Sequence, residues 1–157
     1  MSTDFYKNIP KKRMAVGIIL MDDAGRFLLV KPTYKEGWLL PGGIVEGSES
    51  LSVASRREVM EEIGIEISTP RLLCVDYMPD QEDKGDSLQI VFYGGLVDPA
   101  LVKCDGKEIA EARFVTLEEA QDIATIPTQR RLPHALRAIE EGAVYIEGGE
   151  ALAPSTS

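Results

Sequence analysis

Between residues 14 and 31 the apolar positions fall into two runs, "MAVGIILM" and "FLLVK", split by the turn-forming "DDAG". This pattern predicts a β-hairpin, Met14–Met21 with Phe27–Lys31. "YKEGWLLPGG" reads as a loop with a short extended piece at Trp38–Leu40. From Leu51 to Ile63 the spacing becomes helical, with Ser48 or Ser50 as the cap and Gly64 as the stop. Strands are predicted next at Ile65–Ser68, running on to Arg71–Tyr77, and at Leu88–Leu96. The acidic loop "MPDQEDKGD" separates them. "EARFVTL" reads as a strand, Thr116 caps a helix over "LEEAQDIA", and "PTQRRLPHALRAIEEG" reads as a last helix with Pro133 as its break point. Strands and helices are interleaved, which predicts the α/β or α+β class, with helices flanking a mixed β-sheet; of the two, α/β is the expectation. Residues 1–12 read as an N-terminal extension, 13–146 as one domain, and 147–157 as a polar tail expected to be disordered.

Composition narrows the functions open to this domain. The chain has 157 residues, of which 44% are hydrophobic and 27% charged, ordinary values for a soluble globular protein. No apolar run is long enough to span a membrane, and the start of the chain does not look like a signal peptide. A cytoplasmic location is the expectation, with no membrane partner. Cys74 and Cys104 have neither a zinc nor a redox spacing, and two reduced thiols are expected. The net charge of -9 argues against a nucleic-acid polymer as partner. An acidic protein that binds an anionic small molecule needs cations at the site, which points to metal ions. The single histidine, His134, argues against histidine catalysis and is expected at the surface or at a helix start.

The Leu51–Ile63 helix carries an unusual charge pattern. At about 100° per residue, Glu58 and Glu62 lie one above the other, with Glu61 close by. Val59 and Ile63 sit on one flank, and Val53 and Met60 nearly opposite. That distribution places the carboxylate stripe near the interior, against a cleft. Like charges one turn apart cost a helix about 0.2–0.5 kcal/mol per pair, and negative charge near the C-terminus opposes the dipole. Arg57 can pair with Glu61 but offsets only part of this. A solvated face or a cation site would each explain the pattern.

The surrounding spacing separates the two. Gly43, Glu49, Arg57-Glu58-Val59, Glu61-Glu62 and Gly64-Ile65 fall in the order G-x5-E-x7-R-E-U-x-E-E-x-G-U, where U is a bulky aliphatic. This stretch resembles the Nudix box, and every fixed position matches. "WLLPGG" is similar to the family's usual lead-in, and "EARFVTLEEA" to its late strand and helix, so the resemblance covers Met14 to Glu141.

The resemblance implies a Nudix-type α/β/α sandwich and hydrolysis of a nucleoside diphosphate linked to another moiety, with Mg2+ or Mn2+ as cofactor. Hard divalent cations with carboxylate ligands suit a diphosphate. Carried over by position, Glu58, Glu61, Glu62 and the Gly42 carbonyl would hold metal. Arg57 would orient the glutamates, Glu49 would support them, and Gly43 and Gly64 would be structural. The general base would be a box glutamate or a later one, Glu108 or Glu111, with Asp83 and Asp86 as weaker candidates. Tyr34, Trp38 and Tyr77 could stack on a base, with core packing as the other role for Trp38, and Lys31 and Lys35 could meet phosphate. ADP-ribose-acting members carry a proline where this chain has Asp80, with Pro79 one residue short, which argues against ADP-ribose. A one-residue shift would restore the match, so ADP-ribose-like compounds, sugar nucleotides and modified nucleoside triphosphates all stay open. The alternative from another class is a non-catalytic Nudix-fold ligand sensor or interaction module, which an intact box disfavours. A homodimer is expected by analogy only.

Overall fold

β1, Arg13–Met21, sends alternate side chains to opposite faces of a sheet: Val16, Ile18 and Leu20 to one, Ile19 to the other. β2, Phe27–Pro32, repeats the division, with Phe27 and Leu29 on the Ile19 side and Leu28 and Val30 opposite. Both faces of this sheet are therefore covered, which is why these strands read as continuous apolar runs rather than as alternation.

The computed structural model describes residues 2–154. The remaining elements are α1 (Thr3–Asn8), β3 (Gly42–Ile44), α2 (Leu51–Ile63), β4 (Arg71–Met78), β5 (Ser87–Leu96), β6 (Ile109–Val115), α3 (Leu117–Ile123), α4 (Ile126–Glu141), β7 (Val144–Glu147) and β8 (Glu150–Ala151). The strands form one sheet in the order β6-β2-β1-β5-β4-β7-β8, with β3 joined to β1. β1 with β5 and β4 with β7 run parallel, and the other pairs antiparallel. Ala54, Val59 and Ile63 of α2 pack on one face, and Ala120, Leu132, Ala135 and Ala138 of α3 and α4 on the other. This is the expected sandwich, a mixed sheet between helical layers. Among the described residues no helix is long and apolar enough to cross a membrane.

Several expectations need correction. The β1–β2 hairpin is paired only at Met21 and Phe27, and β3 takes up β1 further along, at Ala15–Gly17. Ile65–Ser68 is not a strand, although Ile65 and Ile67 are buried as core side chains. α4 does not break at Pro133. A proline there leaves the Gln129 carbonyl without its helical donor, and the Gln121 side-chain amide donates to that carbonyl instead at 3.0 Å. His134 therefore lies inside a helix, half-buried, with Nδ1 2.9 Å from Arg137. Residues 3–8 of the N-terminal extension are helical. The segment expected to be a disordered tail contributes the end of β7 and all of β8, while Ser155–Ser157 lie outside the described residues. The short β4 and β5 irregularity also has a visible effect. A register shift between Leu72 and Cys74 puts both Leu73 and Cys74 into the same core cluster.

Candidate functional site

α2 is defined at both ends by local chemistry. The Ser50 hydroxyl accepts the Val53 N–H at 3.2 Å, and Gly64 adopts a left-handed conformation with its N–H on the Met60 carbonyl. The helix buries Glu58 and Glu62 along with Val59 and Ile63. The carboxylate stripe is thus half inside, as expected, but Glu61 faces outward with 57% of its side chain exposed. Val53 and Met60 are exposed as well, so the far side of α2 is not a second buried face.

Arg57 gathers the acidic groups. Its Nε and Nη2 donate to the two Glu49 oxygens at 2.7 and 3.0 Å, a bidentate grip. Nη1 donates to Glu58 at 3.0 Å and to Glu61 at 3.3 Å, and Nη2 reaches the Ile44 carbonyl at 3.4 Å. Glu46, which the sequence reading passed over, stands 3.7 Å from Nη1. Arg57's hydrogen bonds pull the Glu49 carboxyl down to about 2. Glu58 moves the other way, raised chiefly by burial despite Arg57.

Glu62 is the most deeply placed of the group, at 4% exposure. Burial pushes its pKa up to about 8; the Gly42 N–H opposes this, and the charges of Glu58 and Glu108 add to it. The Gly42 N–H donates to Glu62 Oε1 at 2.8 Å, so the β3 glycine turn and the helix are fastened together. Gly43 lies against Glu58: a Cβ built there would stand 2.5 Å from Oε1. A side chain there would have to push the Glu58 carboxylate aside.

The structure brings together Gly42, Gly43, Glu49, Arg57, Glu58, Glu61 and Glu62. Glu108 is near enough that its charge acts on Glu62 and Tyr34, and its backbone is held by Asp105, which accepts its N–H at 3.2 Å. Tyr34 lines the mouth of a cleft of about 250 Å³ that also borders Gly42, Gly43, Leu40, Gln89, Thr128 and Arg131. A second lobe of about 400 Å³ shares Lys35, Leu39, Gln89, Thr128 and Arg131 with it. Lys31 does not face this cleft; it lines a shallow surface dip and pairs across strands with Glu111. Asp86 accepts from the Tyr77 hydroxyl at 2.8 Å and pairs with Lys12, so both residues are engaged with each other. Trp38 is buried in the core, with Arg113 over its ring.

Arg131 escaped the sequence reading. It lies between Thr128 and Leu132 on the face of α4 that also buries Ala135 and Ala138. Helical periodicity alone could have singled it out from its neighbour Arg130.

The donor set fits a hard divalent cation. Glu58 and Glu62 are buried oxygen donors raised above the usual carboxylate range, and the glycine turn is shaped around Glu58. As the side chains stand, no three His, Cys, Asp or Glu residues among those described form a group able to hold an ion. Glu61 is turned toward Arg57 instead.

Comparison with known proteins identifies the family. A family model described as NUDIX domain matches residues 11–136. An ADP-ribose pyrophosphatase from Methanocaldococcus jannaschii is 33% identical over 111 residues, 69% of this chain. A putative 8-oxo-dGTP diphosphatase from Bacillus subtilis is 30% identical over 99 residues, 63% of this chain. The matched region spans 63% of the length of each of these relatives. The crystal structure of a MutT protein from Methanosarcina mazei is 29% identical, with a TM-score of 0.67 over 85% of this chain and 98% of that one.

Proposed function

The chain belongs to the Nudix family, and from that premise we propose that it is a divalent-metal-dependent pyrophosphohydrolase acting on a nucleoside diphosphate linked to another moiety. The observation that carries this reading is the pair of buried carboxylates, Glu58 and Glu62, at the glycine-turn end of a cleft of about 250 Å³. Burying two like charges side by side is expensive unless a cation joins them. Arg57 neutralises Glu58 and Glu49 but donates nothing to Glu62.

When bound, Mg2+ or Mn2+ would clamp the diphosphate, offset its developing charge and lower the pKa of a water. Glu58, Glu62 and the Gly42 carbonyl would hold it, joined by Glu61 when that side chain leaves Arg57. Arg57 positions Glu58 while gripping Glu49 at the start of the helix. Glu108, whose charge already reaches Glu62, is the proposed proton acceptor. The cleft's apolar lining beside Gly42 suits a flat ring, and Tyr34 at its mouth can cover it.

On substrate, two observations pull apart. Similarity to the M. jannaschii protein favours an ADP-ribose-like compound. Against it, Asp80 replaces the expected proline, and its carboxylate accepts the Gly85 N–H at 2.8 Å to shape the loop beside the second lobe.

The test is nucleoside monophosphate release from ADP-ribose, sugar nucleotides and nucleoside triphosphates with Mg2+ or Mn2+. Turnover of at least one compound, lost by several orders of magnitude in Glu62→Gln with an unchanged circular dichroism spectrum, is expected. Tight ligand binding with no turnover across the panel would favour the sensor, and wild-type rates in Glu62→Gln would remove the metal assignment.

A further inference from the structure

Arg131 is held more firmly than an arginine on a cleft wall needs to be. Its Nε donates at 2.8 Å to Asp76, which is fully buried in β4. The second Asp76 oxygen accepts the Gly149 N–H at 3.0 Å, so the carboxylate is satisfied on both sides. Gly149 in turn packs directly on Arg130, where a Cβ would meet the Arg130 Cβ at 2.6 Å. The β7–β8 turn and β4 together therefore fix the guanidinium from behind.

The front of the group is unused. Neither Nη atom of Arg131 has a protein acceptor among the described residues, and no buried side-chain nitrogen there lacks a partner, so both Nη atoms open onto the cleft. Arg131 borders both lobes, beside Gln89 and Thr128. The first lobe continues from it to Gly42 between apolar side chains such as Val16, Leu40 and Leu132. A planar ring lying in that lobe, with its phosphates at Glu58 and Glu62, would turn one edge toward the Arg131 fork. A guanidinium only donates, so it pairs well with two adjacent acceptors and poorly with an edge that offers a donor.

We propose that Arg131, positioned by Asp76, is a specificity-determining residue of the cleft that selects bases with two neighbouring acceptors on one edge. Guanine has that edge in O6 and N7, whereas adenine places an amino donor beside N7. The assignment rests on the nucleotide-hydrolase reading for the location of the phosphates, but its test requires no hydrolysis.

Binding of GMP, AMP and inorganic phosphate is measured by calorimetry in the presence of Mg2+ on the wild-type chain and on Arg131→Lys. Lysine keeps a positive charge against Asp76 and loses the fork. GMP should bind the wild type about tenfold or more tightly than AMP, and Arg131→Lys should bring the two nearly level while leaving AMP affinity in place. Asp76→Asn should also narrow the ratio without abolishing AMP binding. Equal affinity for GMP and AMP in the wild type overturns the assignment and leaves the hydrolase reading intact. A ratio unchanged in Arg131→Lys overturns it too. Inorganic phosphate that displaces GMP from the wild type and no longer does so from Arg131→Lys would put an anion at the fork, which also overturns it. Failure of the hydrolase reading shows elsewhere, as absence of turnover in the diphosphate panel.

Discussion

Gly43 shows how little tolerance the site has at the level of one atom. Its missing side chain is the space occupied by the Glu58 carboxylate, 2.5 Å from where a Cβ would sit. Gly43→Ala should therefore displace a carboxylate, not backbone, and leave the fold standing. Turnover should drop on the order of a hundredfold, the usual cost of misplacing a catalytic group by about 1 Å, with an unchanged thermal midpoint as the control. The sequence made Gly43 visible as a fixed position of the box but not as a contact, since the contact joins residues 43 and 58 across two elements. Arg57 was legible as an organiser of the glutamates; its double grip on Glu49 was not, because the rotamer depends on where residues 44 to 49 travel.

At the scale of the element, α2 was the part most completely written in the sequence. Its ends, Leu51 and Ile63, follow from a serine cap and a glycine stop, both local devices. Gly64 has φ 69°, the left-handed region. Gly64→Ala should lower stability by about 1–2 kcal/mol, read as a shift in the urea midpoint with an unchanged slope. Elements built on long-range pairing were harder to see. β3 is three residues long and exists because Ala15, Val16 and Gly17 offer it an edge. The stretch Ile65–Ser68 alternates like a strand, yet it joins no ladder, and its two isoleucines are buried as core side chains. Pro133 read as a break because the donor that rescues Gln129, the Gln121 amide, comes from another helix.

Across the whole molecule, the sheet is completed by the last residues of the expected domain together with Glu147 and β8 from the segment that composition marks as tail. β7 pairs with β4 from Cys74 to Tyr77, and Ile146 is fully buried in the core. Ile146→Ala should cost about 2–5 kcal/mol, measured by denaturant unfolding. Polar composition hid this hairpin: a strand of four residues with one buried side chain leaves almost no periodic signal. The fold class and the glutamate helix were readable because they rest on local rules, while the cleft wall of Asp76, Arg131 and Gly149 required three distant segments to meet.

The parallel pairing of β1 with β5 sets Met14 opposite Leu88, a separation of 74 positions. On the ribosome, Ile18, Ile19 and Leu20 must therefore wait for nearly half the chain before their partners in β5 emerge. Contacts this distant slow folding, and an uncovered apolar strand invites association in the interval. A strand whose centre is fully buried in the finished protein is thus one in need of protection while the protein is being made.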